Sequence, residues 1–160
     1  MPPPAQGRRH PSPQQADWAA AEAVLGRVVP ADYKAFMDGW GVFPAVRMPG
    51  ATLDAADAYR TLRTQDAETC AMPAFPHEGS LMPFAVTDNG DYFGWIVGPG
   101  APATWPVGVW SHEEGVAEAF DMSFGPFLVA FVQGEVRPRY MPDGVWRDVP
   151  LAFEALPQGR

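Results

Sequence analysis

A single cysteine, Cys70, in 160 residues excludes an intramolecular disulfide framework and any metal site built on several thiolates. Long apolar runs are missing as well. No stretch approaches the roughly 20 residues that a membrane-spanning helix needs. The amino terminus, Met-Pro-Pro-Pro with Arg8-Arg9, has no apolar segment after the arginines, so it does not read as a secretory signal. A soluble, cytoplasmic protein is expected. Cations are scarce: 11 Lys and Arg stand against 19 Asp and Glu, a net charge of −8, and setting aside Arg8 and Arg9 leaves −10 from Ala16 onward. An acidic body disfavours nucleic acid and anionic membranes, because phosphate contacts need Lys and Arg. It suits a basic protein partner through charge complementarity. It serves equally to keep an aromatic-rich domain in solution.

Constellations that carry chemistry are absent too. His10, His77 and His112 lie in three different segments, and none has a His-x-x-x-His partner on a helix. His77-Glu78 and His112-Glu113-Glu114 come nearest to ligand clusters, but neighbours in sequence rarely converge on one ion, and exposed loop residues are expected. Asp88 and Asp91 could form a carboxylate pair for acid–base work or cation binding. Tight turns favour the same residue types through side chain to backbone bonds, and the turn role carries more weight. Gly94, Gly98 and Gly100 are not followed by a helix, so the context for cradling phosphate is missing. No serine sits in a Gly-x-Ser-x-Gly setting. We therefore assign no catalytic, cofactor-binding or metal-ligating residue, expect no cofactor, and read the chain as a non-enzyme.

What is present is a packed, aromatic body. Hydrophobic residues make up 47% of the chain, with six Trp and ten Phe, enough for one domain with a sizeable core. Residues 1–14 are proline-rich and polar, a composition that does not order itself, and are read as a disordered tail. Residues 15–156 form the predicted domain. Asp17 is placed to cap a first helix that ends at Gly26, burying Trp18, Ala21 and Leu25. A second starts near Ala31, with Tyr33, Phe36, Met37 and Trp40 on one face. Phe43–Met48 predicts a short strand, and Leu53–Arg63 a third helix.

The centre of the chain is residues 81–134. Asn89-Gly90 between two apolar runs predicts a hairpin with a type I′ turn, both residues at positive φ. Met82, Phe84 and Val86 are expected on one face, as are Phe93, Trp95 and Val97 on the second strand. Tyr92 and Ile96 make that strand apolar on its other face, which places it centrally in a sheet covered on both sides. Trp105–Trp110 and Ala117–Asp121 predict two more strands, and Ser123 an N-cap for a helix with Phe124, Phe127, Leu128, Phe131 and Val132 inward. Trp95 and Phe127 are expected to touch across the sheet–helix interface. Met141–Trp146 reads as a turn into a strand, and Leu151–Leu156 as another. This order predicts an α+β fold, a single domain with a mostly antiparallel sheet.

The run Leu81-Met82-Pro83-Phe84, then Thr87-Asp88-Asn89-Gly90-Asp91, Trp95, Trp105-Pro106 and a Phe-rich closing helix resembles the SUKH superfamily. Val29-Pro30-Ala31-Asp32-Tyr33, running on to Trp40-Gly41, resembles the helical entry of that family. The likeness spans about Trp18 to Gly134. It implies a twisted, mostly antiparallel sheet of about six strands packed with helices. It also implies a bacterial immunity protein that binds and neutralises a toxin domain, commonly one that targets nucleic acid. The alternative is a regulatory or scaffolding module of the cell-wall assembly regulator type, with no toxin partner. The residues expected to meet a basic partner are exposed acids beside loop aromatics: Asp88, Asp91, Glu113 and Glu114, with Tyr92 and Trp110 as anchors.

Overall fold

The computed structural model describes residues 18–39, 46–47, 72–73, 75–87 and 89–146. Helices α1 (Trp18–Leu25) and α2 (Ala31–Gly39) precede β1 (Val46–Arg47), β2 (Leu81–Thr87), β3 (Tyr92–Ile96), β4 (Val107–Trp110) and β5 (Ala117–Phe120). Helix α3 (Phe124–Val132) follows, with 3₁₀ turns at Pro102–Thr104 and Asp143–Trp146. The strands pair antiparallel in chain order, so each joins the next by a short connection except the first pair. The class is α+β, as the element order predicts. Of the about six strands expected, the described residues form five, of which β1 is only two residues long. The expected helix at Leu53–Arg63, the strand at Leu151–Leu156, the cap at Asp17 and Trp40 lie outside the described residues.

The central hairpin forms where Asn89-Gly90 places it, with a different turn. The Gly90 N–H donates to the Thr87 carbonyl at 3.0 Å, and the Thr87 N–H donates to the Asp91 carbonyl at 2.9 Å. Thr87 therefore pairs with Asp91 across a three-residue loop, 88–90, rather than the two-residue type I′ turn. Gly90, at φ +90°, takes the left-handed position that closes it.

Strand β2 carries a second correction. Its register against β3 slips between Pro83 and Ala85, leaving Phe84 as a bulge. Pro83 has no N–H to give the ladder, which makes this the natural place for the irregularity. The bulge changes the phase of the strand. Met82, Phe84 and Ala85 join Phe93, Trp95 and Val97 on the helix side, whereas Val86 falls on the opposite face with Leu81, Tyr92 and Trp110. Strand β3 is covered on both faces, as predicted.

Aromatic rings fill the space between the sheet and the helices. The Tyr33 ring meets Trp95 edge-on at 5.0 Å, Phe124 at 5.1 Å and Phe84 at 5.7 Å. Its hydroxyl donates to the Phe84 carbonyl at 3.3 Å, and burial pushes the phenol well above its ordinary pKa. Trp95 and Phe127 are both buried, though in different neighbourhoods. Trp95 packs on Tyr33, Phe84 and Phe124; Phe127 packs on Phe93, Phe120 and Phe131. The predicted strand start at Met141–Trp146 is instead a 3₁₀ turn. It buries Trp146 against Phe131 and lets the indole N–H donate to the Phe131 carbonyl at 3.0 Å.

The N-terminus of α3 is capped from a distance. Ser123 occupies the N-cap position but makes no side-chain cap bond. The carboxylate of Asp32, at the start of α2, instead accepts the Gly125 N–H at 3.0 Å and the Tyr33 N–H at 2.9 Å. One charge thus serves the positive ends of two helices. Asp32→Ala should cost about 1 kcal/mol in urea unfolding, and Ser123→Ala less than about 0.5 kcal/mol. The reverse order would contradict this assignment.

Helix α1 is tied to α2 by Glu22, which accepts from Lys34 Nζ and from the Val29 N–H at 2.9 Å. Partial burial raises the Glu22 pKa, but the Lys34 and Val29 hydrogen bonds and the Lys34 charge outweigh it and hold the group below its ordinary 4.5. A carboxyl lowered in the folded state stabilises above its unfolded pKa, and that stabilisation is lost as pH falls through the lowered value. Wild type should therefore melt higher than Glu22→Gln at neutral pH, with the gap closing at pH values below 4.5. A gap that widened on acidification would contradict the ion pair.

Candidate functional site

Two loops meet at one end of the sheet, the β2–β3 loop at 88–90 and the β4–β5 loop at 111–116. Antiparallel pairing brings them together, since Tyr92 faces Trp110 in the register and their rings stand 5.9 Å apart. Asp91 locks the two loops. One carboxylate oxygen accepts the His112 N–H at 3.0 Å, and the other accepts the Thr87 hydroxyl at 3.3 Å. The β4–β5 loop closes by a bond from Ser111 N–H to the Val116 carbonyl at 2.9 Å and one from Gly115 N–H to the Ser111 carbonyl at 3.0 Å. Gly115 supplies the left-handed residue at φ +64°. His112 lies against Trp110, ring to ring at 6.0 Å.

This geometry sorts the residues expected to meet a partner. Glu113 and Glu114 are exposed at the loop tip. Asp91, Tyr92 and Trp110 are brought to the same end but are buried, Trp110 to 1% exposure, so they are not surface anchors as expected. The physical reason for Tyr92 and Trp110 is the second apolar face of the sheet, which takes both rings. Asp91 is buried because its oxygens are committed to the two loops. Asp88 lies outside the described residues.

Sequence reasoning passed over the neighbouring edge. Strand β5 ends the sheet and continues the acidic tip with Glu118 and Asp121, and exposed Val116 and Met122 flank it. The signal was there to be found: between Arg63 and Arg137 the chain contains no lysine or arginine. Among the described residues, no cation pairs with Glu113, Glu114 or Asp121. Glu118 instead accepts the Arg139 backbone N–H at 2.7 Å. Among the described residues, this end and edge therefore present unpaired negative charge on Glu113, Glu114 and Asp121 beside two apolar side chains.

At the opposite end, the β3–β4 loop and the end of α1 line a cleft of about 530 Å³ that includes Glu22, Arg27, Glu78 and Trp105. Three of these polar groups are already committed. Arg27 donates to the Pro76 carbonyl at 2.7 Å, the Trp105 indole donates to the Gly100 carbonyl at 3.0 Å, and Glu22 holds Lys34. Among the described residues, no three His, Cys, Asp or Glu side chains gather as metal ligands, and no helix is long and apolar enough to cross a membrane. No family model, curated protein or solved structure matches this chain.

Proposed function

We propose that this chain is a non-enzymatic binding domain of the immunity type, which neutralises a basic, nucleic-acid-targeting toxin domain by covering it. The observation that carries the proposal is the unpaired acidity of one end and edge of the sheet. Glu113, Glu114 and Asp121 stand exposed with no described cation paired to them, beside exposed Val116 and Met122. One-signed acidity across a whole stretch suits a partner that presents Lys and Arg to phosphate, since the same cations that attract nucleic acid attract this surface. Inhibition by coverage needs no chemistry in the inhibitor.

The proposal is tested by co-expressing the chain with a nucleic-acid-targeting toxin domain encoded beside it. Growth should be restored, and the two proteins should purify as a complex. Arrested growth with both proteins folded would overturn the toxin reading. A stable complex with a protein of no toxicity would instead favour a regulatory module.

A further inference from the structure

Among the described residues the outer edge of β5 is uncovered, and its guards are few: the strand is four residues long, and Glu118 sits opposite core Val109. β5 ends the strand order, and among the described residues nothing pairs with its far side. The bond from Ser111 N–H to the Val116 carbonyl sets the phase of the β4–β5 ladder. Alternate residues in an antiparallel pair turn their backbone groups to the same side, so Val116 and Glu118 face β4 while Ala117 and Ala119 turn their N–H and C=O groups outward. Natural edges are blunted by lysine, proline, inward charges or a covering segment. Between Val116 and Met122 there is no lysine and no proline. Alanine at both outward positions leaves the backbone uncrowded, and Ala119 is exposed.

What this edge would accept follows from its surroundings. Glu113 and Glu114 lie beyond one end of the strand and Asp121 beyond the other, and exposed Val116 and Met122 bracket it. Among the described residues, the cation seen in contact with this strand, Arg139, gives its backbone N–H to Glu118 and lays its guanidinium over the Tyr140 ring at 5.9 Å. A second copy of this chain would bring acid onto acid. We infer that the β5 edge captures a basic, extended segment of the partner as an added strand. Main-chain hydrogen bonds to Ala117 and Ala119 would supply the pairing, and the flanking acids would select the charge. This rests on the basic-partner reading above and names the surface and the mode.

The test uses the full chain and a short peptide of alternating lysine and threonine. Its control is the same peptide N-methylated on the amides that would meet β5, with unchanged charge. Hydrogen exchange at Ala117 and Ala119 should slow by roughly tenfold near saturation with the parent peptide. N-methylation should weaken binding by roughly tenfold, the worth of one or two backbone hydrogen bonds. Ala119→Pro should weaken the parent peptide similarly, because it removes an outward N–H that β4 does not use. If that variant does not fold, the methylated peptide carries the test alone.

Equal binding of both peptides, with no protection at Ala117 and Ala119, would overturn the edge mode while leaving an acidic binding surface intact. Binding of neither peptide would overturn the edge mode outright. Protection of the same amides that grows with protein concentration alone would give the edge to a second copy, which also overturns it. Failure of the basic-partner reading shows elsewhere, as indifference of partner association to salt.

Discussion

Replacing Phe127 by alanine is expected to lower the unfolding free energy by roughly 3–5 kcal/mol, the range for removing a fully enclosed aromatic ring. Phe127 is 2% exposed. It is the middle ring of three along α3, contacting Phe131 at 5.8 Å in a near-parallel stack, Phe93 at 6.1 Å and Phe120 at 5.3 Å. These partners come from α3, β3 and the edge strand β5, so the ring ties the helix to the middle and to the margin of the sheet together. Neighbours on three separate elements collapse poorly into a cavity, which places the cost toward the upper part of the range. Chemical denaturation reads the loss directly. By contrast, Val129 on the same helix is 56% exposed, and Val129→Ala should change stability by less than about 0.5 kcal/mol. Similar costs at the two positions would mean that α3 sits on the sheet by a different face.

The second large effect is expected at Asp91. Its buried carboxylate accepts the His112 N–H and the Thr87 hydroxyl, so Asp91→Ala strands two donors and should cost roughly 1.5–3 kcal/mol. Asp91→Asn keeps an acceptor oxygen in place and should cost clearly less. The effect also reaches the surface. His112 begins the turn that carries Glu113 and Glu114, and releasing its N–H frees that turn from the β2–β3 loop. Amide exchange in the 112–115 turn should accelerate in Asp91→Ala beyond the change in global stability. Exchange that tracks global unfolding alone would show that Asp91 does not hold the turn.

Much of the fold could be read from local patterns, because local chemistry decides it. Asn89-Gly90 marks the hairpin, since a tight reversal needs a residue at positive φ, and Gly26 and Gly134 mark the helix ends for the same reason. The loop's length was not legible. A two-residue and a three-residue loop both suit Asn-Gly, and the choice lies with the Thr87–Asp91 pairing. The bulge at Phe84 had a signal in Pro83, whose missing N–H argues against an unbroken ladder. The cap on α3 had none, because Asp32 stands 93 residues from Gly125.

At the candidate site the partial success has one physical origin. The apolar alternation that made β3 a central strand also requires Tyr92 and its partner Trp110 to be buried, so treating them as surface anchors conflicted with the strand's own pattern. Glu113 and Glu114 are exposed at the tip of a short loop between a central and an edge strand, where the chain reverses away from the core. The β5 edge could not be seen from spacing alone, because which strand ends a sheet is a property of the whole topology.

The central claim, that acidity at this end and edge of the sheet recruits a basic partner, is tested most directly by association kinetics with a basic toxin domain across a salt series. Wild type and the double variant Glu113→Lys, Glu114→Lys are compared. A steered encounter predicts a fast association rate that falls as salt rises, and a drop on the order of tenfold at low salt in the double variant, narrowing as salt screens the charges. An association rate unchanged by salt and by the double reversal would contradict the claim.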